Sequence, residues 1–313
     1  MIIATNNKEY AKTLNNVSFF LSYIKIVWIS SCIFAEIDIL GLYKNFNIMK
    51  NILFALFIAG ILGGCATNAV TGRRQLSLVS ESELQLMATS QYQAFLAENK
   101  PLPPSNSNAA MVDRVGERIA GAITKFFTEQ GRGDILEGYK WEFNTVESKD
   151  ANAWCMPGGK VVVYTGLLPI TQTETALAIV VGHEIAHAIA THGNERMSQA
   201  MAQQLGGAAL QVALAQKPAE TQNIFLTSYG VTTTVAALLP FSRKQETEAD
   251  EYGLIFAAMA GYDPREAVPF WERMAKSGGA GQPEFLSTHP SNQTRIRNLE
   301  KFMPEAMKYY TGK

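Results

Sequence analysis

The pentapeptide His183-Glu184-Ile185-Ala186-His187 follows a stretch that is apolar on nearly every side. Such a stretch folds as a helix buried in the middle of a domain, because no face of it suits water. On that helix the two histidines lie four residues apart, about 40° around the axis, so both imidazoles leave from one face. The geometry suits two nitrogen ligands on one Zn²⁺ ion. Glu184 falls about 60° from His187, on the flank of the same face. It is badly placed as a third ligand and well placed to take a proton from a water beside the ion. The chain has only four histidines, so the pairing is not a by-product of composition. The remaining question is which residue completes the three protein ligands usual in a catalytic zinc site.

Cysteine does not supply it. Cys32, Cys65 and Cys155 form neither a disulfide framework nor a Cys-based metal pattern, and Cys155 reads as a lone thiol in a strand. His192 lies nine residues after His183. On one continuous helix that is about 180° away, so it is expected to face away from the ion. The extended metzincin pattern needs Gly at 190 and His at 193, where this chain has Ala190 and Gly193. The better candidate is Glu246 in Glu246-Thr247-Glu248-Ala249-Asp250. Glu246 and Asp250 share a helix face as i and i+4, Gly253 lies near that face, and Glu248 points to roughly the opposite side. Asp250 is expected to fix a ligating histidine through its other ring N–H. Gly253 would let the two helices approach closely.

Organisation follows from composition and a few local signals. A net charge of −1 shows no basic excess and speaks against nucleic acid as a partner, and 47% hydrophobic residues suffice for a sizeable core. Met49-Lys50-Asn51, the apolar run 52–62 and Gly63-Gly64-Cys65 read as a lipoprotein signal peptide over 49–64, with lipidation at Cys65. The run is too short to span a bilayer. Residues 1–48 precede this complete signal. Either translation starts at Met49, or 17–35 is a genuine N-terminal membrane helix. Residues 65–79 read as a polar tether from the lipidated Cys65, and 80–313 as one catalytic domain. Ala66, rather than Asp, after the cysteine points to the outer membrane. The expected location is therefore the bacterial envelope, facing the periplasm, with membrane attachment through the lipid anchor.

Within the domain, Ser80-Glu81-Ser82-Glu83 matches a capping box opening a helix to about residue 97. Residues 99–108 read as a loop. Val112, Val115, Ile119 and Ile123 repeat at helical spacing over 109–129. Residues 140–146 alternate as a strand, and 151–156, Pro157-Gly158-Gly159 and 160–165 read as strand, tight turn and strand. Thr171-Gln172-Thr173-Glu174 precedes the His-bearing helix. Further helices are expected over 198–215, 245–260, 265–274 and 294–302, with a Gly-rich loop at 277–281. The apolar stretch 226–239 is either core or a flap beside the site.

Taken together, these motifs resemble the gluzincin metallopeptidases of the HtpX and CAAX prenyl-protease family, in the periplasmic, lipoprotein-bearing branch that includes BepA and LoiP. The resemblance covers roughly residues 75–305. It also takes in Asn152-Ala153-Trp154, Tyr164-Thr165-Gly166-Leu167-Leu168, Phe241-Ser242-Arg243-Lys244-Gln245 and Thr288-His289-Pro290. It implies an α+β, mainly helical zincin-like domain with a small sheet. It implies one Zn²⁺ held by His183, His187 and Glu246, Glu184 as general base, and Asp250 behind a ligand. Peptide-bond hydrolysis on unfolded or misassembled envelope proteins would be the activity. Asn152, Ala153 and Trp154 would be the edge strand receiving substrate, unless the hairpin is an ordinary internal one. His289 has three open roles: a reversible fourth ligand, a transition-state hydrogen-bond donor, or a loop-packing residue. The alternative function is a chaperone-like outer-membrane assembly factor whose zinc site is latent or closed.

Overall fold

The computed structural model describes residues 64–312 apart from 216, 234–238, 278–284, 286–288 and 290–292. The readings of 1–48 and of the signal peptide, up to residue 63, lie outside the described residues. The described chain starts with a hairpin, β1 (Cys65–Thr67) paired antiparallel with β2 (Arg74–Leu76). A free polar tether was expected here. The segment is folded because its polar side chains are used inward. Asn68 is buried, accepts from the amides of Val70 and Thr71, and donates to the Ala190 carbonyl at 2.5 Å.

The first long helix, α1 (Glu81–Glu98), opens on Ser80, whose hydroxyl accepts from the Glu83 amide as the sequence pattern predicts. α2 (Ser107–Glu129) starts slightly earlier than its apolar spacing suggests, because Asn106 caps it by accepting from the amides of Asn108 and Ala109. Its stripe of Val112, Val115, Ile119 and Ile123 is no more than 1% exposed.

Three strands follow: β3 (Glu142–Val146), β4 (Ala153–Met156) and β5 (Lys160–Tyr164). Their spatial order is β3-β5-β4, with β3 parallel and β4 antiparallel to β5. Gly158 and Gly159 both sit at φ +83°, and a Cβ on Gly159 would lie 2.7 Å from the Trp141 ring. Conformation and space both demand glycine in this turn. Among the described residues β4 has a strand neighbour on one side only, so it is an edge strand.

Beneath the sheet runs α3 (Glu174–Ile189), capped by the Thr173 hydroxyl accepting from the Ala176 amide. Every residue of α3 from Ala176 onward is buried. The helix stops at Ala190, and Thr191 takes a left-handed φ of +50°. The chain therefore turns before α4 (His192–Leu214) begins. α5 (Ala219–Thr233), α6 (Leu239–Met259), α7 (Ala267–Ser277) and α8 (Gln293–Ala306) complete the order. The stretch 226–239 is thus divided between the end of α5, the first residue of α6 and residues outside those described.

Packing is centred on α3, which lies against α6, α2 and β4. Where α3 crosses α6, a Cβ on Gly182 would sit 2.7 Å from the Gly253 carbonyl oxygen, and one on Gly253 would sit 2.8 Å from His183 Cα. The two backbones touch there because neither residue has a side chain. Phe270, Trp271 and Met274 of α7 and Leu299 of α8 close the core, each at most 2% exposed. Among the described residues no helix is long and apolar enough to cross a membrane.

Candidate metal centre

The backbone contact between α3 and α6 places Glu246 opposite His183 and His187. His289, just before α8, reaches the same point. His183 Nε2 lies 3.1 Å from His187 Nε2 and 3.2 Å from His289 Nδ1. Glu246 Oε2 is 2.9 Å from His289 Nδ1 and 3.5 Å from His183 Nε2, and its Oε1 is 3.3 Å from His187 Nε2. Four ligands around a tetrahedral zinc with bonds of about 2.0–2.1 Å stand about 3.3 Å apart. The four residues match that spacing, and all four ligand atoms lie within 4.8 Å of one another.

Hydrogen bonds on the far sides of the rings set which nitrogens face inward. His183 Nδ1 is 3.0 Å from Asp250 Oδ1. A carboxylate only accepts, so this nitrogen carries the proton and Nε2 presents a lone pair. The charge-assisted Asp250 contact outweighs Arg295 Nη2, which lies at 3.3 Å from the same nitrogen. On the other ligand, His187 Nδ1 is 2.9 Å from His192 Nδ1, and His192 Nε2 is 3.0 Å from Glu248 Oε2. Glu248 must accept, so His192 donates from Nε2 and accepts at Nδ1, and His187 donates from Nδ1. Both Nε2 lone pairs therefore point at each other beside a carboxylate. Such a donor set is stable only around positive charge, and it fits Zn²⁺.

With no ion in place the buried cluster shares protons among its own groups, and a metal ion would displace them from the inward nitrogens. Burial pushes the Glu246 carboxyl up, but hydrogen bonds to three histidines more than reverse this and hold it well below the usual range. Burial lowers His183, yet hydrogen bonds to Asp250 and Glu246 overcome it and hold the ring at about 9. Asp250 is likewise pushed up by burial, and Arg295 and His183 together bring it below the usual range. Arg295 clamps Asp250 with Nε to Oδ2 at 2.8 Å and Nη2 to Oδ1 at 2.6 Å, while stacking 3.5 Å above the Trp271 ring.

Glu184 stands on the flank of the cluster. It is buried, its Oε1 has no hydrogen-bond partner among the described residues, and His289 Nε2 is 3.4 Å away. Burial raises its carboxyl above the usual range, against the pull of His289 and His183. A raised carboxyl with an oxygen free of hydrogen bonds suits a general base. On β4, Ala153 is buried while Asn152, just before the strand, and Trp154 are half-buried. The Asn152 carbonyl accepts from the Tyr164 amide, and Trp154 packs edge-on against Tyr92 and Phe95. Cys155 is half-buried, its thiol pushed well up by burial and by the charge of Glu184. Cys65 is exposed at the start of β1, outside this cluster.

Two site residues were excluded on sequence grounds and two were missed. His192 does not face away, because the left-handed Thr191 ends α3 and turns the next helix back, so that His192 meets His187. Glu248 does point away from Glu246, but toward that same histidine. Arg73 and Arg295 come from opposite ends of the chain, and no local pattern links them to the site. One signal was available for His192: all four histidines of the chain belong to this single network.

A buried helix presenting two histidines and a glutamate, with an acidic residue from a second helix, defines the zincin class of metal-dependent hydrolase. The chain belongs to peptidase family M48, whose profile matches residues 107–303, and is thereby a metallopeptidase. It is 35% identical over 241 residues to the mitochondrial metalloendopeptidase OMA1 of Schizosaccharomyces pombe, covering 76% of this chain and 66% of that one. It is 30% identical over 292 residues to OMA1 of Saccharomyces cerevisiae, covering 86% and 81%. It is 25% identical to the metalloprotease LoiP of Escherichia coli over 261 residues, 82% and 97% of the two chains. These findings correct the expected location. The relatives with the stronger similarity are mitochondrial enzymes of eukaryotes, so an assignment to the bacterial outer membrane does not hold. A short apolar run before a cysteine has the same hydropathy in any compartment, so it does not by itself name one.

Proposed function

We propose that the protein is a zinc-dependent endopeptidase in which His183, His187 and Glu246 hold one ion and Glu184 moves the proton. The observation that carries this reading is the convergence of His183 Nε2 and His187 Nε2, 3.1 Å apart, on the Glu246 carboxylate. When bound, zinc supplies Lewis acidity that lowers the pKa of water and polarises a carbonyl. Glu184 Oε1 accepts the proton of the attacking water and passes it to the leaving amine as the peptide bond breaks. Asp250 and Arg295 keep His183 in the ligating tautomer. β4, which among the described residues has a strand neighbour on one side only, binds an extended polypeptide along 152–154 through backbone hydrogen bonds, which tolerates varied sequences. The substrates on this reading are polypeptides, in keeping with the metalloendopeptidase names of the relatives.

A second reading rests on His289. Its Nδ1 stands as close to the cluster as any other ligand atom, which favours a centre closed by a fourth residue and therefore latent. One assay separates the readings: chelator-sensitive hydrolysis of a casein-type substrate by wild type, Glu184→Gln and His289→Ala. The endopeptidase reading expects Glu184→Gln to keep stoichiometric zinc and lose about 10²–10⁴-fold in rate. Full activity in that variant rules out the role of Glu184. Activity that rises in His289→Ala identifies His289 as the closing ligand.

A further inference from the structure

We propose that His192, Glu248 and Arg73 are positioning residues that hold the His187 ring for the metal, so that the N-terminal hairpin is part of the centre. The inference rests on the zinc reading above. The metal site needs His187 in one tautomer and one orientation, and the chain that secures both runs in a single direction. Arg73 donates from Nε to Glu248 Oε1 at 2.7 Å. Glu248 accepts from His192 Nε2, and His192 Nδ1 accepts from His187 Nδ1. Arginine only donates and a carboxylate only accepts, so with a neutral His192 the direction of every bond is fixed. His192 is 0% exposed, and the Arg73 and Glu248 side chains are 9% and 11% exposed, so water does not substitute readily for any of them.

The arrangement mirrors that of the other ligand. His183 leans on Asp250, and Asp250 is clamped by Arg295. His187 leans on Glu248 through an interposed imidazole, and Glu248 is clamped by Arg73. Both carboxylates come from α6, two and four residues after Glu246, and both arginines come from segments distant in sequence. Arg73 is itself fixed by the Glu195 carboxylate, at 2.6 and 2.5 Å, which also accepts from Gln245 at 2.7 Å. Hairpin and helix turn are stitched together beside this path: Asn68 bonds the Ala190 carbonyl, and Gln75 bonds the Thr191 hydroxyl.

The test measures zinc binding by chelator competition and Co²⁺ absorption on the full chain, for wild type, His192→Ala, Glu248→Gln, Arg73→Ala and Arg73→Lys. Loss of the backing residue is expected to raise the zinc dissociation constant about 10–100-fold and to alter the Co²⁺ spectrum. Arg73→Lys keeps a charge and one donor, so it should recover part of the loss seen in Arg73→Ala. Glu248→Gln is nearly isosteric and guards against a variant that fails to fold. Folded variants with wild-type zinc affinity and an unchanged spectrum overturn the inference. A wild type that binds no zinc overturns the metal reading and this inference with it. A wild type that binds zinc but cleaves no peptide overturns the peptidase reading alone.

Discussion

Imidazole has two nitrogens, and a metal ligand needs one of them bare; the residues behind the ring make that choice. For His183 the choice falls to Asp250, 3.0 Å away and itself held by Arg295. Asn at 250 would keep the shape but lose the charge that fixes the proton on Nδ1. Asp250→Asn is therefore expected to weaken zinc binding about 10–100-fold, measured by chelator competition on folded protein. Wild-type affinity in that variant would remove Asp250 from the account. Asp250 was legible in the sequence because it stands one helical turn from Glu246. Arg295 was not, because an arginine in a polar C-terminal helix reads as solvated until the fold lays it on Trp271.

At the level of elements, the site depends on how closely two helices pass. Gly182 and Gly253 bring α3 and α6 into backbone contact, and Glu246 reaches the histidines only at that separation. Gly253→Ala would put a methyl group 2.8 Å from His183 Cα. Its cost should be about 1–3 kcal/mol of stability, as for overpacking elsewhere in protein cores. A thermal melt together with a zinc titration should show both falling; a variant as stable and as tightly zinc-binding as wild type would show that the crossing tolerates more room. The turn at Pro157-Gly158-Gly159 was readable because left-handed glycines leave a compositional mark. The break at Thr191 was not, since threonine gives no warning of a positive φ. That one residue turned His192 from an expected outward-facing side chain into the partner of His187.

Across the whole molecule, the centre ties together α3, α6, the segment before α8 and, through Arg73, the N-terminal hairpin. An ion held there stabilises only the folded chain. At a free zinc concentration 1,000 times the dissociation constant the gain is about 4 kcal/mol. For a unit of this size that corresponds to a melting temperature higher by on the order of 10 °C. Scanning calorimetry with and without chelator measures it, and Glu246→Ala should show almost no chelator effect. An equal shift in that variant would place the ion elsewhere. What the sequence alone determined is what short-range periodicity can carry: a buried helix with two histidines on one face, Glu184 on its flank, Glu246 and Asp250 one turn apart, and a hairpin. Only the tertiary structure decided what meets those faces. Arg295, His192 with Glu248, and Arg73 enter through contacts between remote segments, where a burial-driven fold, and no repeat along the chain, chooses the partner.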